Sequence, residues 1–345
     1  MTPVRWVLLL LLAWIWPAAA RQTPSQGPPD AKATRWSAPT ERVPARDGNL
    51  YHLRADDRAI YWVTCTGFND PCVLHRLAHD AATEPQSATA LASAVGLRAY
   101  ALDTNDVFFA DGGRILRVPK RGGSPVRVAS VPFPVFEIAV AGDSLYASLA
   151  DTRDMTGRNP TARPGKILRI PKAGGTAVEL GEHNSAMPRM AIDNRTLFFT
   201  GNRAILSMPI GGGPLTILAQ DDSHPPSSLA IDAGAVYYSA GGEVRRVAKT
   251  GGRVEVLYRG LIVLDVRAAG GAIYAARNLA YARGEVAEKA ALVRIPARGG
   301  EPAVLVELSD SPQSLAVDGT GLFAILRGRE VNGREPTRIM AFPAQ

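Results

Sequence analysis

Polar and charged residues recur at one position of a repeated apolar segment, and they are the residues of this sequence best placed to bind a ligand. The segments align on an Asp, or its equivalent, that follows each of them. Four residues before that point, or five in the case of the glutamine, stand His52, Glu137, Arg189, Ser228, Asp265 and Gln313. Acidic, basic and neutral groups that converge in one concave place can hold a polar ligand. We therefore predict a ligand-binding site at these six residues.

Two other interpretations of the same residues stay open. Glu137, Asp265, Gln313 and His52 could hold a divalent cation that activates water, as in a metal-dependent lactonase or hydrolase. Arg189 belongs to the same set and would repel such a cation. Alternatively, the six side chains only pair with each other and with water. The sequence contains neither a Gly-x-Ser-x-Gly nucleophile elbow nor a Walker loop, so we expect no catalytic residues, no bound metal and no cofactor.

A second group of possible metal ligands lies in two polar segments, which contain His183, Asn184, Asp221, Asp222 and His224. These residues lack the fixed spacing of a structural metal site. We therefore expect them to be surface residues.

The only two cysteines of the chain, Cys65 and Cys72, favour a disulfide. In an oxidising compartment, closing so short a loop contributes about 2.5 kcal/mol by the chain-entropy estimate. A metal or redox pair would ordinarily have two residues between its cysteines rather than six.

The N-terminal residues 1–20 predict a signal peptide. Arg5 supplies the positive charge, Val7–Trp16 the apolar segment and Ala18–Ala20 the small residues of a cleavage site. The apolar segment has about half of the roughly 20 residues that a spanning helix needs, which leaves an uncleaved anchor as the lesser alternative. We expect a secreted or periplasmic protein without a membrane span after removal of the signal. Residues 21–34 form a Pro-rich linker, and 35–345 form the folded domain.

The charge of the chain gives little information about its partner. It carries 39 Lys and Arg against 32 Asp and Glu, a formal net charge of +7. Nearly all the basic residues are arginines, which suits the GC-rich genome of a bacterium, and they are scattered along the sequence. Since no basic stripe or aromatic stacking motif accompanies them, we expect no nucleic-acid partner.

The folded domain consists of repeats of about 40 to 50 residues, a length typical of propeller blades. Each contains an apolar strand that ends in Asp, an aromatic strand, a third strand that ends in Arg-apolar-Pro, and a Gly-Gly turn before a fourth strand. The aromatic strand occurs seven times, in AIYWV, VFFA, LYAS, LFFT, VYYS, IYAA and LFAI. We predict an all-β chain with a single β-propeller of seven four-stranded blades, six or eight being the alternatives.

The ends of the repeat region predict how the ring closes. The last repeat reaches Gln345 with only three strands, and a strand-like segment, Trp36–Pro44, precedes the first repeat. We predict that this N-terminal strand pairs with the C-terminal blade and removes the open edge.

The repeats resemble the YWTD-type propellers of the low-density-lipoprotein-receptor class and their secreted bacterial relatives. The resemblance spans residues 50–345, and its carriers are Ile60-Tyr61-Trp62 and the segment Phe108–Gly123. The Asp that follows the family's aromatic strand is kept only at Asp111. Family members usually have six blades.

The connections between the second and third strands differ most in length and predict the binding surface. Four are long, at Thr64–Pro71, Asp151–Gly165, Arg277–Lys289 and Arg327–Pro336. Variable loops on a rigid scaffold often carry function. We expect a monomeric, non-enzymatic binding or scaffold module whose loop-rich face holds a protein, peptide or glycan, with the metal-dependent hydrolase as the alternative.

Overall fold

The repeats fold into seven four-stranded antiparallel sheets that form the blades of a β-propeller. A computed structural model describes residues 38–343, apart from 47–48, 68–69, 82–87, 98, 151–163, 186–187, 222, 279, 283–284 and 330–334. The described residues form strands, turns and loops, with no helix among them. This part of the chain accordingly has no helix with the length and apolar character that crossing a membrane requires.

The first four blades follow one another along the chain after a single strand, β1 (Thr40–Arg46). Blade 1 comprises β2 (Asn49–Ala55), β3 (Ala59–Cys65), β4 (Cys72–Ala78) and β5 (Thr89–Ala94). Blade 2 comprises β6 (Tyr100–Leu102), β7 (Asp106–Asp111), β8 (Arg114–Pro119) and β9 (Val126–Ser130). Blade 3 comprises β10 (Val135–Ala141), β11 (Ser144–Leu149), β12 (Gly165–Pro171) and β13 (Val178–His183). Blade 4 comprises β14 (Met190–Ile192), β15 (Thr196–Thr200), β16 (Ala204–Pro209) and β17 (Thr216–Gln220).

The last three blades include one extra hairpin and the strand that closes the ring. Blade 5 comprises β18 (Ser228–Ile231), β19 (Ala235–Ala240), β20 (Glu243–Ala248) and β21 (Glu255–Arg259). Blade 6 comprises β22 (Val263–Ala269), β23 (Ala272–Arg277), β26 (Ala290–Pro296) and β27 (Ala303–Leu308), with a hairpin of β24 (Ala280–Ala282) and β25 (Glu285–Glu288) between β23 and β26. Blade 7 comprises β28 (Ser311–Val317), β29 (Gly321–Arg327), β30 (Thr337–Pro343) and β1.

The predicted closure of the ring is confirmed, because β1 pairs antiparallel with β30. Thr40 lies opposite Ala341 and Arg46 opposite Thr337. The strand therefore begins and ends later than the predicted Trp36–Pro44 segment, of which Trp36 and Ser37 lie outside the described residues. The seven-blade prediction is confirmed as well.

The hydrophobic core lies between neighbouring blades and is built largely by the aromatic second strands. Adjacent aromatics such as Phe108 and Phe109 in β7, or Tyr237 and Tyr238 in β19, are each about 1% exposed. Successive residues of a strand point to opposite faces of the sheet, so both rings of a pair are buried only if a blade packs on each side. The paired aromatics thus follow directly from the stacking of blades around an axis.

Two kinds of tight turn shape the side of the ring that we call the turn face. In blades 2 to 6 the third and fourth strands are joined by Gly-Gly pairs such as Gly122 and Gly123, whose φ angles of 91° and 136° disfavour residues with a Cβ. In five blades the first and second strands are joined by Asp turns, whereas in blades 3 and 6 the turn contains glycine instead. Asp56 Oδ1, for example, accepts hydrogen bonds of 2.9 Å from the backbone amides of Arg58 and Ala59. The same bonds occur at Asp103, Asp193, Asp232 and Asp318.

The second carboxylate oxygen of three of these turn residues joins one blade to the next. Oδ2 of Asp56, Asp103 and Asp193 accepts a hydrogen bond from a lysine Nζ of the following blade, namely Lys120 at 2.6 Å, Lys172 at 3.0 Å and Lys249 at 2.8 Å. We call these contacts the inter-blade ion pairs. Between blades 7 and 1 a histidine takes the lysine's place, and His79 Nε2 lies 3.0 Å from Asp318 Oδ2.

The inter-blade ion pairs hold their carboxylates in the ionised form. Burial alone raises the pKa of Asp56, but hydrogen bonds from Lys120 and from the Arg58 amide outweigh that effect and hold the pKa below its ordinary value. Asp103 and Asp193 have lowered pKa values for the same reasons. Each turn residue therefore stabilises its own hairpin with one oxygen and its neighbouring blade with the other.

Candidate functional site

Apart from the ten residues between β4 and β5 on the turn face, the long connections lie on one side of the ring, which we call the loop-rich face. It carries the links from second to third strands and from each fourth strand to the next blade. The second-to-third links leave six residues between β3 and β4, and more in blades 3, 6 and 7, where all three contain residues outside the described part of the chain. In blades 2, 4 and 5 the same link has only two or three residues. This distribution agrees with the pattern of lengths in the sequence.

The inner strands of the four blades with long links are also irregular at their start, on the loop-rich face. Each contains one extra residue relative to its second strand, at positions next to His52, Glu137, Asp265 and Ser314. Such β-bulges bend a strand, increase its twist and redirect its side chains. In the described residues of blades 2, 4 and 5, the pairing of first and second strands is regular.

All six residues predicted to bind a ligand line one cavity of about 600 Å³ at the axis of the ring. His52, Glu137, Arg189, Ser228, Asp265 and Gln313 come from six different connections or inner strands. The prediction that they lie together therefore agrees with the geometry, and their role as ligand contacts stays a prediction. Arg54 and Arg267 line the same cavity and were missed by the sequence alignment. They stand two residues after His52 and Asp265, and Arg267 lies on the same side of its strand as Asp265.

Asp265 and Ser228 are committed to contacts within the protein. Asp265 is 7% exposed, and its Oδ1 accepts hydrogen bonds from Ser228 Oγ at 2.8 Å and Arg267 Nη1 at 2.6 Å. Its Oδ2 accepts a bond of 2.8 Å from the backbone amide of Leu315, and Ser228 Oγ accepts one of 3.0 Å from Val266. This network joins the inner strands of blades 5, 6 and 7. These hydrogen bonds hold the inner strands of the three blades in place on one side of the channel.

Glu137 is shared between two arginines. Its Oε1 accepts a hydrogen bond of 2.7 Å from Arg54 Nη2, and its Oε2 lies 3.9 Å from Arg189 Nη1. Arg54 also lies over the ring of Tyr100, 5.5 Å from the ring centre. Since a guanidinium next to a carboxylate opposes a metal cation, neither Glu137 nor Asp265 is arranged as a metal ligand. Among the described residues, no group of three or more His, Cys, Asp or Glu side chains is arranged to bind a metal.

His52 has a backbone conformation that is unusual for a residue with a side chain. Its φ is 53°, in the left-handed region, within the bulge of β2. Tyr100 anchors this strained segment, because the single proton of its hydroxyl is shared between the carbonyl oxygens of His52 and Tyr61, both within hydrogen-bonding distance. Burial raises the pKa of Tyr100, so the hydroxyl keeps its proton and remains a donor. Strained backbone of this kind occurs preferentially at functional sites.

A second cavity of about 460 Å³ opens beside the channel on the loop-rich face, and we call it the apolar pocket. Its walls consist mainly of the side chains of Tyr51, Val63, Val95, Leu97, Phe136 and Pro188. Tyr51, His52 and Arg189 line both this pocket and the channel. The polar groups of the pocket therefore lie where the two cavities meet, apart from Asn49. Sequence reasoning missed the pocket, because its walls come from three blades.

The predicted disulfide between Cys65 and Cys72 is present and borders the apolar pocket. It joins the end of β3 to the start of β4. It therefore shortens the free length of a loop that forms one wall of the pocket.

A third cavity of about 300 Å³ lies over blades 6 and 7 on the same face. Gln313 lines both this cavity and the channel, and its Nε2 donates a weak hydrogen bond of 3.3 Å to the carbonyl of Ser311. Arg327, which also lines both, lies 3.4 Å from Glu335 Oε2.

The two polar segments considered as metal ligands serve structural roles where they are described. His183 is buried, its ring nitrogen Nε2 bonds to Ser148 Oγ at 2.9 Å, and burial lowers its pKa. Asp221 accepts hydrogen bonds from the backbone amides of Ser223 and His224 and forms an ion pair with Arg245. Asp222 lies outside the described residues. The surface location expected for His183 is therefore wrong.

Comparisons with known proteins support the fold alone. No protein-family model matches the sequence, and no curated protein matches it. The WD40 β-propeller domain of Doa1 has a TM-score of 0.60 at 15% identity, over 90% of this chain and 97% of that domain. The computationally designed Ika8 protein gives 0.53 at 11% identity, over 86% and 99%. Acylaminoacyl peptidase gives 0.61 at 12% identity over 86% of this chain, which spans only 52% of that enzyme.

Proposed function

We propose that this chain is an exported, non-enzymatic binding module that holds a protein, peptide or glycan at the channel mouth on its loop-rich face. One observation carries the proposal: the long links, the four bulged inner strands and the cavities share that face. On the turn face the Asp turns are short, and the Gly-Gly connections of blades 2 to 6 all have the same length of six residues. A rigid scaffold with variable loops around a concave site is the usual arrangement of a binding surface.

The contacts of the channel carboxylates favour binding over hydrolysis. Glu137 and Asp265 each lie within 2.7 Å of a guanidinium nitrogen, which reduces their capacity to hold a cation that would activate water. Export is inferred from residues 1–20, whose pattern is that of a signal peptide, and the proposed active form is a monomer.

We also propose, from the motif Ile60-Tyr61-Trp62 and the segment 108–123, that the chain belongs with the YWTD-type propellers. Many members of a propeller class share the scaffold and differ in ligand, so this relationship predicts the scaffold rather than the partner.

Blocking one face of the ring at a time tests the proposed function. Both native cysteines are in the disulfide, so one introduced thiol can be labelled selectively with a bulky maleimide polymer. Ser309→Cys places the label on the loop-rich face beside the third cavity, and Ser124→Cys places it in a turn between β8 and β9 on the turn face. Both serines are exposed, which makes the variants a matched pair.

The readout is binding of each labelled protein to immobilised peptide, glycan and secreted-protein arrays. We expect the label at position 309 to abolish the binding seen with unlabelled protein and the label at position 124 to leave it unchanged. Loss of binding only with the label at position 124 would place the binding surface on the turn face and contradict the proposal.

A further inference from the structure

Arg189 is the channel arginine with the weakest contact to a carboxylate. Arg54 and Arg267 each have a guanidinium nitrogen within 2.7 Å of Glu137 and Asp265 respectively. Arg189 Nη1 lies 3.9 Å from the same Glu137, beyond hydrogen-bonding distance. Of the four arginines that line the channel, Arg327 lies 3.4 Å from Glu335 and the other three share Glu137 and Asp265, so the surplus positive charge falls on Arg189.

The hydrogen bonds of Arg189 leave its outer nitrogens available to a ligand. Its Nε donates a bond of 3.3 Å to the carbonyl of Ser227, and its backbone amide donates to Thr200 Oγ1 at 2.9 Å. Within the described part of the chain, Nη2 donates no hydrogen bond. The side chain is 35% exposed, at the boundary between the channel and the apolar pocket. The backbone of Arg189 is therefore fixed, while its charge faces the mouth.

We propose that Arg189 and the apolar pocket together bind the free C-terminus of a peptide or protein whose last residue is apolar. The last side chain would occupy the pocket, and the α-carboxylate would pair with the Arg189 guanidinium. This inference rests on the proposed function and narrows its partner to a polypeptide chain end.

Charge complementarity favours this occupant. An arginine binds a carboxylate through parallel N–H donors, and Arg189 is the surplus cation of the mouth. Glu137 Oε2 lies 3.9 Å from Arg189 Nη1, so it would repel a carboxylate that approached from its own side and favours one on the other side of the guanidinium. A glycan lacks both a large apolar group for the pocket and, in its neutral forms, a charge for Arg189.

The remaining polar groups of the pocket and its surroundings suit a peptide rather than a small free acid. The Asn49 side chain lines the pocket and offers both a donor and an acceptor to a peptide group. The loop-rich face continues from the pocket across the channel to the third cavity, so the chain that precedes the last residue has a surface to follow.

Three short peptides test the proposal by calorimetry on the full folded chain. The first is N-acetyl-Ala-Ala-Leu with a free carboxylate, the second is its C-terminal amide, and the third is N-acetyl-Ala-Ala-Gly with a free carboxylate. We expect the first to bind with a Kd below about 1 mM and the other two at least about tenfold more weakly. Equal binding of the acid and the amide would overturn carboxylate recognition, and equal binding of the Leu and Gly peptides would overturn the role of the pocket.

Variants connect the binding to Arg189. We expect Arg189→Gln to remove the preference for the acid over the amide, and Arg189→Lys to retain part of it. Arg253→Gln is the matched control, because Arg253 is exposed in the turn between β20 and β21 on the turn face. A thermal melt of each variant separates loss of the ligand contact from loss of the fold. An Arg189→Gln protein that still prefers the acid would contradict the assignment.

A fourth ligand, 4-methylpentanoate, separates the two sources of an apolar carboxylate. We expect it to bind at least about tenfold more weakly than the Leu peptide, because it lacks the peptide groups. Binding as tight as that of the peptide would mean that the site takes free organic acids and would overturn the proposal. The face-blocking experiment does not depend on these ligands. A loop-rich face that binds other partners but no C-terminus would refute this inference and leave the proposed function standing.

Discussion

The inter-blade ion pair between Lys120 and Asp56 provides a test of how the ring is held together. Lys120 Nζ lies 2.6 Å from Asp56 Oδ2, and the two side chains are 16% and 19% exposed. At an effective dielectric constant of about 20, Coulomb attraction at this distance is about 6 kcal/mol before the cost of desolvation is subtracted. Exposed pairs contribute about 0–1 kcal/mol, and breaking a fully buried pair costs about 3–5 kcal/mol. For this partly buried pair we expect Lys120→Met to cost about 2 kcal/mol.

The assay is the melting temperature of the folded chain at neutral pH. With an unfolding entropy of about 2.1 cal/mol/K per residue over roughly 300 residues, each 1 kcal/mol corresponds to about 1.6 °C. Lys120→Met should therefore lower the Tm by about 3 °C. Lys289→Met is the control: its Nζ lies 2.8 Å from Glu307 Oε2, but the side chains are 65% and 54% exposed. We expect the control to change the Tm by less than about 1 °C.

The pH dependence identifies the charge as the cause. The folded-state pKa of Asp56 is held below its ordinary value, so the stabilisation is present above the unfolded-state pKa of about 3.9. It is lost as the pH falls through the folded-state value. The Tm values of wild type and Lys120→Met should thus differ at pH 7 and differ less at about pH 3, below the unfolded-state pKa of Asp56. An equal difference at both pH values would show that the lysine stabilises by packing and would refute the ion-pair reasoning.

Three further predictions address the seam, the disulfide and a buried tyrosine. Deleting residues 35–45 removes most of β1 and exposes the edge of β30. Circular dichroism should then show loss of cooperative unfolding near the wild-type Tm, and an unchanged Tm would contradict the closure of the ring by β1. Replacing Cys65 and Cys72 together by alanine should lower the Tm by about 4 °C, because about 2.5 kcal/mol of loop-closure stabilisation is lost, and a reductant should lower the wild-type Tm equally. Burial and a hydrogen bond to Asp232 raise the pKa of Tyr237 to about 12. The stabilisation of the folded state that results is present below pH 10 and is lost as the pH rises towards 12. Tyr237→Phe should therefore weaken the alkaline fall in Tm measured by calorimetry.

The repeat could be predicted from the sequence because its signals are local. Adjacent aromatics, an Asp before a short turn and a Gly-Gly pair each report on a few neighbouring residues, and all of them fell in the expected strands and turns. The closing strand was also predictable, since a missing fourth strand at one end and an unpaired strand at the other complement each other. The first and last residues of this strand could not be predicted, because they are determined by its pairing with β30.

The sequence also contains a signal for the inter-blade ion pairs. The chain has few lysines, and Lys120, Lys172 and Lys249 all stand directly after the third strand of a blade. A rare residue type at one repeat position indicates a shared contact. The partners could not be read from the sequence, because each lysine bonds to an Asp 56 to 69 residues away in the preceding blade.

Six residues that line the channel were predicted from the sequence, but the ion pairs between them and the neighbouring arginines were not. Alternation along a strand places Arg267 on the same side as Asp265, so this arginine could have been predicted, whereas the bulge at His52 breaks the alternation that would have indicated Arg54. Which arginine takes which carboxylate depends on the arrangement of blades around the axis. The bulge that gives His52 its positive φ depends on the register with β3, which leaves no mark in the composition of β2.

The two faces of the ring divide the tasks of stability and binding. On the turn face, ionised Asp side chains bond to their own hairpins and to the next blade, and the Gly-Gly turns are short and alike. Ionic contacts of this kind join blades 1 to 2, 2 to 3, 4 to 5 and 7 to 1, and none of them involves a residue of the loop-rich face. That face can therefore keep bulges, long links and the strained His52 backbone, each of which costs stability locally. This division implies that variants of the inter-blade ion pairs lower the Tm and leave ligand affinity unchanged, whereas Arg189 variants do the reverse.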